Sequence, residues 1–278
     1  MPTFATGRLL AGAVLTGLAL AAPAAEVMAQ QKAAVPDFSS NQVGWIATNP
    51  DFIAVPGGPS PTRSDPAHPY VPNNSGAQPT FRVADLSNPN LKPWAREIMK
   101  KENEKVPAGK IGFTARSSCR PAGVPGFMMF IIEPIFFVQS PNKVLMIHSG
   151  NEEVRHIYLD VPHSENPKPS WYGESVGHYE GDTLVIKTIG LNDKTFVDNY
   201  RTPHSEKLHV VERWKMIDDG KMLEVDIKVE DPDAFNAPWS AIQRYRRAQP
   251  RQLGEEACAE NNEHLFDYRI PVADKADF

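Results

Sequence analysis

The sequence predicts a mainly β fold, either an antiparallel up-and-down barrel or a strongly rolled sheet. About eight short apolar segments follow one another in the second half of the chain, separated by turns rich in Gly, Asp and Asn. Residues 222–230 alternate between apolar and charged side chains, with Leu223, Val225, Ile227 and Val229 on the dry face. A single wet face is typical of antiparallel sheets, and closure removes unpaired edges. A two-sheet sandwich is the alternative.

The first residues have the pattern of a secretory signal peptide. Arg8 precedes a short run of apolar and small residues that ends at Pro23, and two small-residue cleavage sites follow, ending at Ala24 and Ala29. We therefore expect residues 1–29 to be removed and the mature protein to be periplasmic or secreted. A membrane anchor or a disordered tail is the alternative for this segment, and we expect no membrane span in the mature chain.

Residues 30–90 are rich in Pro, Asn, Ser and Gly. Proline removes a backbone donor and fixes φ, so this composition argues against a regular sheet or helix. We expect the segment to wrap over the domain in extended form or to be partly disordered. Its apolar residues predict that parts of it dock: Phe38, Trp45, Ile46, Phe52 and Ile53.

Residues 91–278 are predicted to form a single β-barrel-like domain that begins with a helix over 91–106. Pro93 suits a first helical turn, and Trp94 and Ile98, joined by Met99, form the expected apolar face. This helix serves packing only. A second short helix or turn is expected at 256–262.

The strands of the predicted barrel are joined mainly as hairpins. Compact turns at 180–182 and 218–220 carry the Gly and Asp residues that tight turns require. An eight-stranded barrel has room for one small ligand. The predicted strands pair 144–148 with 154–160, 175–179 with 183–189, and 208–216 with 222–230; an apolar run at 127–138 precedes them and 239–247 is the last strand.

Charge and cysteine content limit the function. A formal net charge of −5 argues against a nucleic-acid partner, because phosphate contacts need a concentrated basic surface. The two cysteines, Cys119 and Cys258, are most simply a disulfide in an exported protein. Such a bridge closes a loop of about 140 residues, worth roughly 4–5 kcal/mol by chain entropy. Two buried thiols or a catalytic cysteine are the alternatives.

Five histidines occur between residues 155 and 214, which makes this region the candidate site: His156, His163, His178, His204 and His209. His204 and His209 flank a loop that enters a strand, and both could point toward the barrel mouth. Asp198 could orient one of the imidazoles. The alternative is a polar turn in which His204 bonds to backbone.

Two further patterns add candidates. Pro162-His163-Ser164-Glu165 has the same four residues as 203–206, so the two loops could face one ligand, or the match could be a coincidence of turn chemistry. His178 and Glu180 share a strand face, which suits acid–base catalysis or metal binding.

The strand at 208–216 places Glu212 and Trp214 on one face and His209 and Arg213 on the other. If Trp214 is inside, Glu212 is a carboxylate in an apolar barrel, which would raise its pKa and suit proton transfer. If Trp214 is outside, Glu212 is an ordinary surface charge. His209 and Glu212 cannot both point inward on a regular strand.

These observations favour an exported enzyme that uses His, Asp and Glu for acid–base chemistry, as a lyase, isomerase or hydrolase, on a small organic or sugar-derived substrate. Zinc-helix, nucleophile-elbow and phosphate-loop motifs do not occur, and we expect no cofactor. The alternatives are a calycin- or lipocalin-like binding protein for a small apolar ligand, or a protein with a histidine-bound divalent metal. The predicted catalytic residues are His204, His209, His178, Asp198 and Glu212; the predicted substrate-binding residues are Trp171, Tyr172, Arg213, Trp214, Trp239 and His163.

One stretch carries a resemblance to a known family. Residues 171–185, which end in Gly-His-Tyr-Glu-Gly-Asp-Thr-Leu-Val, are followed by Pro-His-Ser at 203–205 and Leu-His-Val-Val-Glu-Arg at 208–213. This combination resembles a family of exported bacterial β proteins from soil and water. Tyr179 stands where the family has tryptophan, and Glu174 where it has histidine. The resemblance implies export and a compact β fold, and it implies no particular reaction.

Overall fold

The computed structural model describes residues 35–39, 43–72, 76, 81–108, 119–150, 153–250 and 254. Within these residues the chain forms ten strands, one α-helix and one short 3-10 helix. The strands are β1 (Trp45–Ala47), β2 (Ile53–Ala54), β3 (Ile135–Ser140), β4 (Lys143–His148), β5 (Glu153–Leu159), β6 (Glu174–Glu180), β7 (Thr183–Ile189), β8 (His209–Ile217), β9 (Met222–Glu230) and β10 (Trp239–Arg247); the helices are α1 (Pro93–Lys105) and the 3-10 helix Gly126–Met129.

Nine of the described strands close into a barrel. The order runs from β1 to β3 and then consecutively to β10, which pairs back with β1, while β2 also pairs with β10. The predicted barrel is therefore confirmed over the sandwich. One pair departs from the up-and-down antiparallel pattern, since β5 and β6 run parallel with Ile157 opposite Ser175. Residues 160–173 cross over between these two strands.

The predicted hairpins are confirmed. Strands β4 and β5, β6 and β7, and β8 and β9 pair as adjacent antiparallel strands. The last predicted strand coincides with β10. The apolar run at 127–138 does not form one strand, because its first residues belong to the 3-10 helix and the strand begins only at Ile135.

Packed side chains fill the interior of the barrel. The four predicted inward residues of β9 are each at most 1 % exposed. Trp214 is fully buried between Phe137 and Tyr245, with ring centroids 5.5 and 5.3 Å away. Aromatic pairs at this spacing stabilise the core by more than the burial of their apolar area alone.

The proline-rich segment contributes to the barrel wall. Phe38 and Trp45 are fully buried, and the Trp45 indole N–H donates to the Phe38 carbonyl at 2.8 Å. The predicted docking is confirmed. The expectation that this segment holds no regular strand is wrong for β1 and β2, which occupy the positions between its prolines and pair with β3 and β10.

Helix α1 packs through a different face from the one predicted. Ala95 and Met99 are fully buried, whereas Trp94 and Ile98 are 38 % and 37 % exposed. The Trp94 indole N–H instead donates to the backbone carbonyl of Asp233, so this side chain lies over a neighbouring loop. Only Met99 of the predicted face meets the core.

Several predictions fall outside the described residues. These are the signal peptide at 1–29, the short helix or turn at 256–262 and Cys258. Cys119 is described and is not free, but the bridge to Cys258 stays a prediction. Within the described ranges, no helix is long and apolar enough to cross a membrane.

Candidate functional site

His204 is a packed residue of the loop before β8. Its imidazole is 2 % exposed. Its Nδ1–H donates to the Ser205 carbonyl at 3.0 Å, so Nε2 accepts from the Thr195 hydroxyl at 2.7 Å. Burial lowers the pKa of His204, which keeps the imidazole neutral. Both ring nitrogens are already used, and the predicted exposure at a barrel mouth is wrong.

Asp198 folds its own loop instead of orienting an imidazole. Its carboxylate accepts bonds from the backbone N–H groups of Tyr200 and Thr202 at 2.9 and 3.1 Å, and from the Thr202 hydroxyl at 2.7 Å. Burial raises the pKa of Asp198 to about 6. The predicted Asp–His pair is not formed, because a turn within residues 198–202 satisfies the carboxylate locally.

His178 and Glu180 share the outer face of β6, as predicted. The His178 Nε2 atom lies 2.9 Å from one Glu180 oxygen, and Arg213 donates to the other oxygen at 2.7 Å. The bond from Arg213, followed by that from His178, lowers the pKa of Glu180. All three side chains are accessible on the barrel wall, so they form a surface ion-pair cluster and not an enclosed site.

His209 begins β8 on the same outer wall, opposite Glu230 of β9. Burial is the main cause of its lowered pKa, and His163 acts in the same direction. Because β8 residues alternate in direction, His209 and Arg213 point outward while Glu212 and Trp214 point inward. The predicted convergence of His178, His204 and His209 at a barrel mouth is therefore wrong.

Glu212 is fully buried, as predicted for an inward Trp214, but its surroundings are not apolar. Arg155 binds it with two bonds of 2.9 and 2.6 Å, and the Trp214 indole N–H donates to it at 2.9 Å. Arg155 also donates to Ser175 at 3.0 Å and to Thr188 at 2.7 Å. This network links four consecutive strands, β5 to β8, and it leaves Glu212 paired.

Trp214 and Trp239 belong to the core and not to a ligand site. Trp239 is 1 % exposed and packs between Phe52 and Phe235, with ring centroids 6.0 and 5.9 Å away. The prediction that these two indoles bind a ligand is wrong, because both are buried against other aromatic side chains in the filled interior of the barrel.

A cleft on the outside of the barrel is the candidate site. It has a volume of about 640 Å³ and lies between the outer face of β5 and the crossover at 160–173. The lining residues are Val154, His156, Tyr158, Ser164, Asn166, Pro167, Lys168, Ser170, Trp171, Tyr172, Gly173, Glu174 and Ser175. Clefts of this size suit one small ligand.

Strand alternation supplies one wall of the cleft. Arg155 and the apolar residues at 157 and 159 point into the barrel, so Val154, His156 and Tyr158 point outward. The rings of His156 and Tyr158 stack with centroids 6.5 Å apart. Val154 and Tyr158 are 39 % and 44 % exposed, which leaves an accessible surface with both apolar and polar character.

Glu174 fixes the opposite wall. It accepts bonds from the Ser164 backbone N–H at 2.7 Å, from the Ser164 hydroxyl at 2.6 Å and from His163 Nδ1 at 3.0 Å. The Ser164 hydroxyl is the largest cause of its lowered pKa, so the group is a carboxylate at neutral pH. His163 therefore contacts a residue of the cleft wall but does not line the cleft itself.

The end of the crossover is held by backbone contacts. Ser170 N–H donates to Gly190 O at 3.0 Å, and Asn192 N–H donates to Ser170 O at 2.9 Å. Tyr172 packs edge-on against Phe127 at 6.1 Å, and its hydroxyl donates to Glu153. The backbone contacts of Ser170 and the side-chain contacts of Tyr172 thus fix the segment that carries Trp171.

The structure brings together only part of the predicted site. Trp171 and Tyr172 line the cleft and His163 borders it, whereas His178, His204 and His209 lie elsewhere. Sequence reasoning passed over Tyr158 and Lys168 and gave His156 no role. The alternation of 153–159 could have placed His156 and Tyr158 on one outward face, but nothing in the sequence joins that face to the crossover.

Among the described residues, no group of three or more His, Cys, Asp and Glu side chains is arranged to hold a metal ion. No protein-family model, curated protein or solved structure matches the chain.

Proposed function

We propose that this protein is an exported enzyme that performs acid–base chemistry on a small organic or sugar-derived molecule bound in the outer cleft. The observation that carries the proposal is the meeting of an accessible imidazole, His156, with the aromatic side chains of Tyr158, Trp171 and Tyr172 in one cleft. The leader pattern at 1–29 supports export.

The composition of the cleft favours a ring-shaped ligand. Aromatic faces pack against the C–H face of a sugar or against an aromatic ring, and the Asn166 amide and the Ser170 hydroxyl offer hydrogen bonds to its substituents. A cleft that combines apolar faces with a few polar groups is typical of small-molecule sites.

His156 is the group assigned to proton transfer. Imidazole is the side chain that most readily takes up and releases a proton near neutral pH. Tyr158 lies beside it on the same strand face and supplies a hydroxyl within the same cleft. In an elimination, isomerisation or hydrolysis, His156 accepts the proton from substrate or water and returns it to the product or leaving group.

Substitution of His156 tests this assignment. A panel of neutral and acidic sugars, glycosides and aromatic compounds is screened for turnover by the wild-type protein. His156→Gln is expected to lower kcat on any substrate found by about 100-fold or more, with little change in binding, because glutamine keeps polarity but transfers no proton. The matched control is His178→Gln on the exposed wall of β6, which should leave kcat unchanged. Full turnover by His156→Gln would contradict the assignment.

A non-catalytic binding protein is the second candidate. The bonding of Glu174 to Ser164 and His163 favours it, since these polar groups are engaged with one another and leave the aromatic faces as the main accessible surface. In that case panel members bind without any turnover, and Trp171→Ala abolishes the binding. Native mass spectrometry of the freshly isolated protein would show a retained ligand.

A further inference from the structure

Basic side chains outnumber carboxylates among the residues that line the outer cleft. Lys168 and His156 are its basic side chains, and Glu174 is its one carboxylate among the lining residues. Glu174 already accepts three hydrogen bonds from Ser164 and His163, so much of its charge is compensated within the wall. Asp160 and Glu165 belong to the crossover but do not line the cleft.

Lys168 is held in place by its neighbours in the sequence. It lies between Pro167 and Pro169, which fix their own φ angles, and a residue before proline is restricted to extended backbone. Pro167 packs closely on Gly190, where an added Cβ would lie 2.9 Å from the proline Cβ. The base of the lysine side chain therefore has a defined position on the cleft wall.

The ammonium group of Lys168 is available. The side chain is exposed and forms no ion pair with any described residue. Two other lysines of the barrel are engaged by carboxylates: Lys207 pairs with Asp233 at 3.0 Å, and Lys215 pairs with Glu224 at 3.3 Å. A second lysine, Lys143, lies opposite Tyr158 with its Nζ 4.8 Å from that ring, which adds positive charge near the cleft.

We propose that the ligand of the cleft is a six-membered ring that bears a carboxylate, and that Lys168 contacts this carboxylate while Trp171 and Tyr172 face the ring. This inference rests on the proposed function, because it names the substrate class of the same cleft. A sugar acid and an aromatic acid share this chemistry, and the carboxylate and the ring are the parts that the cleft recognises.

Calorimetric titration of the mature full-length chain tests the inference with matched probes. Glucuronate is compared with glucose, and 4-hydroxybenzoate with 4-hydroxybenzyl alcohol, so each pair differs mainly in the carboxylate. We expect at least one acid to bind about ten-fold more tightly than its neutral partner, and added salt to weaken that preference. A preference limited to the first or second pair identifies a sugar acid or an aromatic acid, respectively.

Lys168→Met removes the charge but keeps an unbranched apolar stem. It should abolish the preference for the acid while leaving the weaker binding of the neutral ring intact. The matched control is Lys221→Met in the turn between β8 and β9, which makes the same change in net charge and should retain the preference. Loss of the preference in both variants would indicate a general charge effect and would overturn the role of Lys168.

The remaining outcomes separate this inference from the function on which it rests. Equal binding of acid and neutral partner, with binding lost in Trp171→Ala, overturns the carboxylate preference and leaves the cleft as a ligand site. Failure of every ring compound on the larger panel to bind the wild-type protein overturns both proposals.

Discussion

At the scale of single residues, the buried pair Arg155–Glu212 is costly to disturb. Arg155 is 1 % exposed and Glu212 is 0 % exposed, and two hydrogen bonds join them. Two charges removed from water are tolerable only while each compensates the other, so the loss of one leaves a buried charge unpaired.

Glu212→Leu is therefore expected to lower the free energy of unfolding by about 3–5 kcal/mol, measured by urea denaturation. The control is the double variant Arg155→Met with Glu212→Leu, which removes both charges and should recover most of that loss. If the double variant were as unstable as the single one, side-chain packing rather than charge pairing would be the main contribution.

The sequence predicts one member of this pair and not the other. The alternation of β8 placed Glu212 and Trp214 on one face and left open whether that face is inward; the structure buries both. Arg155 was not identified as its partner, although Ile157 and Leu159 lie on the same face of β5. Local periodicity gives the direction of a side chain, whereas the partner depends on how distant strands assemble.

At the scale of elements, two glycines with the same backbone geometry allow a controlled comparison. Gly173, at the end of the crossover, and Gly181, in the β6–β7 turn, both have φ of 62°. A Cβ on Gly173 would lie 2.4 Å from the Ile189 carbonyl oxygen, whereas a Cβ on Gly181 would meet nothing within 4 Å.

Gly181→Ala is expected to lower the free energy of unfolding by about 1–2 kcal/mol, the cost of left-handed backbone for a residue with a Cβ. Gly173→Ala should cost about 1–3 kcal/mol more, since the crossover must also move away from β7. Urea denaturation of the two variants measures the difference. Equal losses in the two variants would show that moving the crossover away from β7 costs no measurable free energy.

Hairpins were the most predictable elements, and the parallel pair was the least. The turns at 180–182 and 218–220 carry local signals that fix both the reversal and the register. No local signal of this kind predicts the pairing of β5 with β6, because the residue pattern of a strand does not indicate its direction after a long connection. The outer cleft depends on that pairing, so the sequence did not reveal it.

At the scale of the whole molecule, the number of histidines in a stretch of sequence does not locate the candidate site. Five histidines within a short stretch predicted an active centre, yet His204 packs in a loop, His178 joins a surface ion-pair cluster and only His156 lines the cleft. A closed barrel has an inside and an outside, and successive residues of each strand are assigned to opposite sides.

The predicted disulfide belongs to this scale because it would join the chain before β3 to the chain after β10. Unfolded protein isolated from an oxidising compartment should show no titratable thiol, and two after reduction. Replacement of Cys119 and Cys258 by Ala should lower the free energy of unfolding by about 4–5 kcal/mol. Reduction of the wild-type protein is the control and should give a similar loss; two titratable thiols before reduction would contradict the bridge.

Closure of the ring by β1 governs when this chain can fold. Trp45 pairs with Arg247, so the closing seam joins two strands that lie far apart in the sequence. Until β10 pairs, the edges of β9 and β1 that it covers stay open and can associate with other chains. Pairings this distant in sequence also form slowly, so the barrel is expected to close late in folding.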